Sequence, residues 1–236
     1  VPSFRTRSNE PELMDAADNT SEDMAACLAA LARVNTLTAA RPPTLRWLAR
    51  ATRDLPSGST VTVLDVGSGE GDMLRAIHRS LTRRGLLPRL VGIDLDPSAV
   101  RAARAATNPA LGIEFLATSV FDHVPTVPPD YVTSSLVTHH MRDDEIVRFF
   151  AWMERTARRG WLVSDLHRHA FAYHAFRVLA GAARWHRFVR HDGPVSIARA
   201  FRREDWSRYL DAAGIPRDAV TVRWHVPFRW CVGRIR

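Results

Sequence analysis

The spacing of hydrophobic positions changes near residue 60. Before that point apolar residues recur at helical intervals. Met24, Cys27, Leu28, Leu31 and Val34 line one face of an amphipathic helix whose start is marked by Thr20 and, three residues on, Asp23. Pro42 and Pro43 interrupt the pattern, and Pro43 suits the first turn of a second helix carrying Leu45, Leu48 and Ala49. Pro56-Ser57-Gly58-Ser59 reads as a turn. Residues 1–57 are therefore expected to form a helical cap, too short for a core of its own.

From Thr60 onward, short apolar runs alternate with helical stretches. The runs predict strands over Val61–Val66, Leu90–Ile93, Ile113–Leu116, Tyr131–Val137 and Trp161–Ser164. Between them, one helix carries Leu74, Ile77 and Leu81. A second starts at Pro97 behind the N-cap Asp96 and runs to Ala106, and a third carries Ile146, Val147, Phe150 and Met153. Continuous apolar strands between helices imply a parallel sheet covered on both faces. After the fifth strand, Val178, Ala182, Trp185 and Val189 predict one helix, ended by His191-Asp192-Gly193-Pro194, within an insert over about 166–200. A last helix is expected over Arg203–Ala213, stopping at Gly214. Two closing strands, about Ala219–His225 and Phe228–Ile235, are parted by Pro227 and read as antiparallel.

Composition narrows the class. Of 236 residues, 46% are apolar and 25% charged, as in ordinary globular proteins. No apolar run of about 18 residues is present, so no membrane span is expected. The first residues, VPSFRTRSNE, lack the apolar core of a secretory signal. Cys27 and Cys231 form neither a disulfide framework nor a zinc site, which suits a reducing cytoplasm. All 33 basic residues are arginine, and the net charge is +8. Without lysine, a Schiff-base or phosphate-loop lysine is excluded. Residues 1–157 carry a net charge of −2 and residues 158–236 one of +10. The last third is thus expected to meet something anionic.

The candidate chemistry starts at Leu64-Asp65-Val66-Gly67-Ser68-Gly69-Glu70-Gly71, which follows a strand and opens a helix. Glycines there let a ligand approach the backbone, and the helix start offers unpaired N–H donors. The next strand ends in Asp94, placed to accept two ribose hydroxyls. A dinucleotide loop would read G-x-G-x-x-G, yet Asp72 stands where its last glycine belongs. With Asp65 preceding the loop, the acids favour a nucleoside bearing positive charge over a pyrophosphate.

In these motifs the chain resembles the class I S-adenosylmethionine-dependent methyltransferases across nearly all of residues 60–236. The resemblance implies a Rossmann-like α/β fold, with a seven-stranded sheet whose last strand is antiparallel, helices on both faces, and the domain spanning 58–236 under an N-terminal helical cap. It implies S-adenosylmethionine as cofactor, held by Asp65, Gly67, Ser68, Gly69, Gly71 and Asp94, with Leu95 beside adenine. Ser119, which replaces the usual acid of the third motif, Val120 after it and Ser135 on the fourth strand are further cofactor-binding candidates. Asn35 and Arg41 of the cap are further candidates to cover the cofactor. Finer similarity is to small-molecule enzymes of the quinone-biosynthesis type and to methyltransferases accompanying type III polyketide synthases. It is carried by DYVTSSLVTHHM (Asp130–Met141) and RHDGPVSIARAF (Arg190–Phe201).

Ligands of a parallel sheet bind beyond the carboxyl ends of its strands, where His139, His140, Asp165 and His167 fall. The resemblance pairs His139 as base with Asp165. Full ionisation of a phenol at pH 7 costs roughly 4 kcal/mol, and a histidine is matched to take that proton. The acids Asp143-Asp144-Glu145 read as a helix start, and no metal is expected there. The expected function is methylation of a phenolic or polyketide-like small molecule, by O-methylation, with C-methylation of the ring as alternative. A nucleic-acid methyltransferase or binder is the other class considered, but no recognised module for it is visible. The basic insert, with Arg168, Arg177, Arg184, Arg187 and Arg190, suggests docking of an acidic carrier protein or a membrane surface.

Overall fold

The structure, a computed structural model, describes residues 2–13, 34 and 38–236. The helix expected from Thr20 through Leu31 lies outside the described residues, as do Cys27 and Asn35. From residue 41 the order is α1 (Arg41–Ala51), β1 (Thr60–Val66), α2 (Asp72–Thr82), β2 (Leu87–Asp94), α3 (Pro97–Ala106), β3 (Glu114–Ala117), β4 (Tyr131–Ser135), α4 (Asp143–Thr156) and β5 (Gly160–Leu166). There follow α5 (Ala170–Ala182), α6 (Arg187–Arg199), α7 (Arg203–Ala212), β6 (Thr221–His225) and β7 (Arg229–Ile235).

The strands form one seven-stranded sheet in the order β3-β2-β1-β4-β5-β7-β6. β1 to β5 are parallel, and β7 runs antiparallel between β5 and β6. The strand order reverses between β1 and β4, so a crevice opens beyond their carboxyl ends. Both faces are covered. Trp47, Leu48, Leu74, Ile77, Val100 and Ala103 pack from α1, α2 and α3 on one face. Phe149, Phe150, Met153, Trp206 and Tyr209 pack from α4 and α7 on the other. α1 is pinned where Trp47 meets Tyr131 edge to face at 5.8 Å and the Tyr131 hydroxyl donates to the Ala51 carbonyl at 2.7 Å.

Several stretches differ from expectation; β2 starts three residues early, at Leu87, where it pairs with Thr60 of β1. β4 stops at Ser135 rather than Val137, because Leu136 turns into the left-handed region (φ 62°) and Thr138–His140 forms a 3-10 turn. β5 extends to Leu166 because β7 pairs with it along its whole length. The insert is two helices, not one. The chain turns between Ala183 and His186, and His191-Asp192-Gly193-Pro194 lies inside α6 instead of ending a helix. Tertiary packing overrides the breakers here. Phe176 of α5 sits so close to Gly193 that a Cβ there would lie 2.1 Å from its ring. Val178, expected on the buried stripe, is 72% exposed.

Residues 2–13 form an irregular strap over this region. The Ser8 N–H donates to the Ala198 carbonyl at 3.0 Å, and buried Arg168 donates to the Phe4 carbonyl at 3.1 Å. Arg7 reaches the carbonyls of His139 and Met141 at 3.1 and 2.9 Å while its guanidinium covers the Phe201 ring at 4.6 Å.

At the opposite end of the sheet, Asp130 ties β1 to β4. It accepts the Thr62 N–H and hydroxyl, each at 2.9 Å, and Arg158 at 2.7 Å. Burial would raise its pKa, but the Thr62 hydrogen bonds and Arg158 outweigh it and hold the carboxyl below its ordinary value. Its contribution is complete above the unfolded carboxylate pKa of about 3.9 and is lost as pH falls through the lower folded value. Asp130→Asn should cost about 1–3 kcal/mol near neutrality in urea denaturation, and the difference from wild type should shrink below about pH 4.

Candidate active site

The loop after β1 is built on glycines in the left-handed region: φ is 69° at Gly67, 52° at Gly69 and 76° at Gly71. A Cβ on Gly67 would lie 2.2 Å from Val137 Cγ2, whereas one on Gly69 would meet nothing within 4 Å. Asp94, at the end of β2, accepts the Gly69 N–H at 2.8 Å and the Asp96 N–H at 3.0 Å. Burial raises its pKa, and these backbone donors act against that rise. Asp65 is buried under the loop with the Thr133 hydroxyl on its Oδ1 at 2.6 Å. Burial, opposed by the Thr133 bond and reinforced by the charges of Asp72 and Asp94, pushes it up to about 7. Asp65, Glu70, Asp72 and Asp94 together make this end of the crevice rich in acids.

A cavity of about 1030 Å³ runs from this loop along the carboxyl ends of the strands to the insert. Asp65, Gly67, Ser68, Gly69, Asp94, Leu95, Ser119, Val120 and Ser135 all line it, and Arg41 stands at its edge with Nη1 3.8 Å from Asp72. Gly71 caps the loop instead, its αL backbone opening α2. Beyond the middle of the cavity the walls turn apolar, with Phe176, Leu179, Phe188, Val189 and Phe228.

His139 and His140 enter that middle from the 3-10 turn. Asp165, at the end of β5, is fully buried and gathers the turn: the Thr138 hydroxyl at 2.5 Å, the His139 N–H at 3.1 Å, His139 Nδ1 at 2.7 Å and the Leu166 N–H at 2.7 Å. Burial alone would raise the Asp165 pKa. The charge and hydrogen bond of His139, with the Thr138 hydroxyl, outweigh it and keep the group a carboxylate well below its ordinary range. A carboxylate accepts only, so the neutral form of His139 carries its proton on Nδ1 and leaves the lone pair on Nε2. The turn is clamped from outside, where Arg199 donates to the carbonyls of His139 at 3.1 Å and His140 at 3.0 Å.

Of the four rim residues singled out by sequence, the fold brings His139, His140 and Asp165 together. His167 does not line the cavity. It packs against Phe228 and Trp230, accepts the Trp224 indole N–H at 3.2 Å, and is held neutral, near 4, by burial and the charges of His169, Arg202 and Arg168. Asp143 pairs with Arg7 and Tyr209, and Glu145 caps α4. Much of the positive excess of the last third is internal: Arg168 binds Asp205, Arg199 holds the histidine turn, and Arg234 and Arg236 bind Glu154.

Two cavity residues had no sequence signal. Glu12 is buried, accepts the Ser196 hydroxyl at 2.9 Å, and faces His139 Nε2 and His140 Nε2 at 3.9 Å each. The donor atoms of these three lie within 4.8 Å of one another, a set able to hold a divalent cation. The other is Arg229, the buried first residue of β7.

Residues 63–160 match the family model of a methyltransferase domain. Among solved structures, the plantazolicin methyltransferase BpumL, crystallised with S-adenosylhomocysteine and a monoazolic desmethylPZN analog, superposes with a TM-score of 0.64 at 12% identity, over 88% of this chain and 89% of that one. Magnesium protoporphyrin IX methyltransferase from Synechocystis PCC 6803, with S-adenosylhomocysteine, gives 0.54 at 14% identity over 94% and 90%. The mitomycin 7-O-methyltransferase MmcR gives 0.52 at 19% identity over 82% and 54%. At these identities the likeness is one of fold. No curated protein matches the sequence.

The raised pKa of Asp65 has a consequence for stability. The folded chain holds a proton that the unfolded chain releases near 3.9, so this contribution is full below that value and is lost as pH rises through about 7. Asp65→Asn removes the buried charge. Denaturation between pH 5 and 8 should show the wild type losing stability relative to the variant as pH rises, and a constant gap would show that Asp65 is not perturbed.

Proposed function

We propose, from the premise that residues 63–160 are a methyltransferase domain set in the class I fold, that the protein transfers a methyl group from S-adenosylmethionine to a hydroxyl of a small aromatic molecule. The observation that carries this reading is the Asp165–His139 pair on the wall of a cavity whose other end is the glycine loop with Asp94.

The residues present suit the cofactor. Gly69 leaves open space above its backbone, Asp94 at the end of β2 could accept ribose hydroxyls, and buried Asp65 is an acid whose ionised form a sulfonium or ammonium would favour. When bound, the cofactor supplies an electrophilic methyl group on sulfur. The chain's own part is to place the acceptor and remove its proton. His139 Nε2 takes the hydroxyl proton, and the imidazolium so formed is stabilised by the Asp165 carboxylate already on Nδ1. The apolar walls at Phe176, Leu179 and Phe188 hold the aromatic body and keep water from the reacting oxygen. Neighbours in fold that act on small molecules, one of them named as an O-methyltransferase, support the substrate class.

Calorimetric titration with S-adenosylhomocysteine should show micromolar binding to the wild type that Asp94→Ala abolishes. His139→Ala should bind the nucleoside as the wild type does while turnover on a phenol, read by mass shift, falls about 10²–10⁴-fold. Near wild-type turnover in that variant would remove His139 as the base.

A further inference from the structure

We propose that Arg229 is an anion subsite at the substrate end of the cavity, and that the aromatic acceptor carries a carboxylate. The inference rests on the reading of this cavity as a methyl-acceptor site and names the acceptor's second functional group.

Arg229 is 1% exposed, yet among the described residues its Nε and Nη1 have no hydrogen-bond partner. No carboxylate of the described residues lies within ion-pairing distance. Asp165 acts on it only from further away, and both Asp165 oxygens are already taken by Thr138, His139 and Leu166. A guanidinium does not escape burial by losing its proton, and buried charged donors left unmade are costly. Such a group is explained when a ligand completes it.

Its place says which ligand. Arg229 lines the same cavity as His139, with Leu166 opposite it in register and Phe228 before it in the chain, and Ala172, Phe176 and Leu179 are apolar walls of that cavity. In register, Arg229 lies opposite Leu166, the residue after Asp165, so β7 brings it to the same end of the sheet at which Asp165 holds His139. A guanidinium fork matches the two oxygens of a carboxylate. The set therefore fits a hydroxylated aromatic acid, with its ring among the apolar side chains, its hydroxyl at His139 and its carboxylate on Arg229. Arg41 is a separate cation at the acidic end of the cavity, 3.8 Å from Asp72.

The test uses the full chain saturated with S-adenosylhomocysteine, titrated with 2,4-dihydroxybenzoate and with resorcinol, the same ring without the carboxylate. The wild type should bind the acid about ten- to a hundred-fold more tightly. Arg229→Gln and Arg229→Met should lose that preference while resorcinol and S-adenosylhomocysteine bind as before. Equal affinity of the two probes for the wild type, or no binding of the acid, overturns the proposal even if neither variant folds. So does a preference that survives in Arg229→Gln, or a loss of S-adenosylhomocysteine affinity in its place. Methylation of the probes is read separately by mass shift. A preference without methylation removes the hydroxyl-acceptor reading and leaves the subsite. Equal methylation of both probes, bound equally, removes the subsite and leaves the reaction.

Discussion

A single buried carboxylate organises the working end of this molecule. Asp165 ends β5 in a place where an unpaired charge would be untenable, and everything near it is arranged to pair it. The hydrogen bonds that keep it ionised also end β4, shape the turn that follows and set the tautomer of His139. The clamp of Arg7 and Arg199 on the turn's carbonyls then holds the ring from the other side. One electrostatic requirement thus fixes both a backbone path and the direction of a lone pair.

The cavity is chemically graded along its length. Beneath the glycine loop it is acidic, with Asp65, Glu70, Asp72, Asp94 and Asp96. At the histidines it is hydrogen-bonding, with Glu12 between the two rings, and past them it is mostly apolar, with the Arg229 guanidinium and Asp192 as charged groups. A positively charged nucleoside and an anionic aromatic body would each find the matching end, and would meet in the middle. The ordering follows from strand order, since β1 and β2 carry the acids while β5 and β7 carry Asp165 and Arg229 on the other side of the reversal point.

What could be read from sequence follows from how local each signal is. The loop around Gly67 and Gly69 was legible because positive φ after a strand demands glycine, and Asp94, His139 and Asp165 because strand ends are where such a sheet binds ligands. β4 was read two residues too long, since nothing in Leu136-Val137 announces that a distant carboxylate will capture Thr138. The break signal at Asp192-Gly193-Pro194 misled because Phe176 needs the bare glycine face and Asp192 serves the Leu13 N–H, both non-local demands. Glu12 and Arg229 were invisible for the same reason. One comes from an irregular strap and the other from a strand that pairs last, and neither has a neighbour in sequence that shares its role.

The strap carries a consequence for assembly. Ser196 and Glu12, bonded across the cavity, are separated by 184 residues of chain, and Arg7 joins the strap to the carbonyl of Arg199 across 192. Closing loops of that length brings the greatest entropic cost and comes late. The parallel sheet and its glycine loop can therefore be complete while the acceptor half of the cavity still lies open, so a nucleoside could settle before the wall facing its methyl group exists. Order of folding and order of binding would then be the same sequence of events.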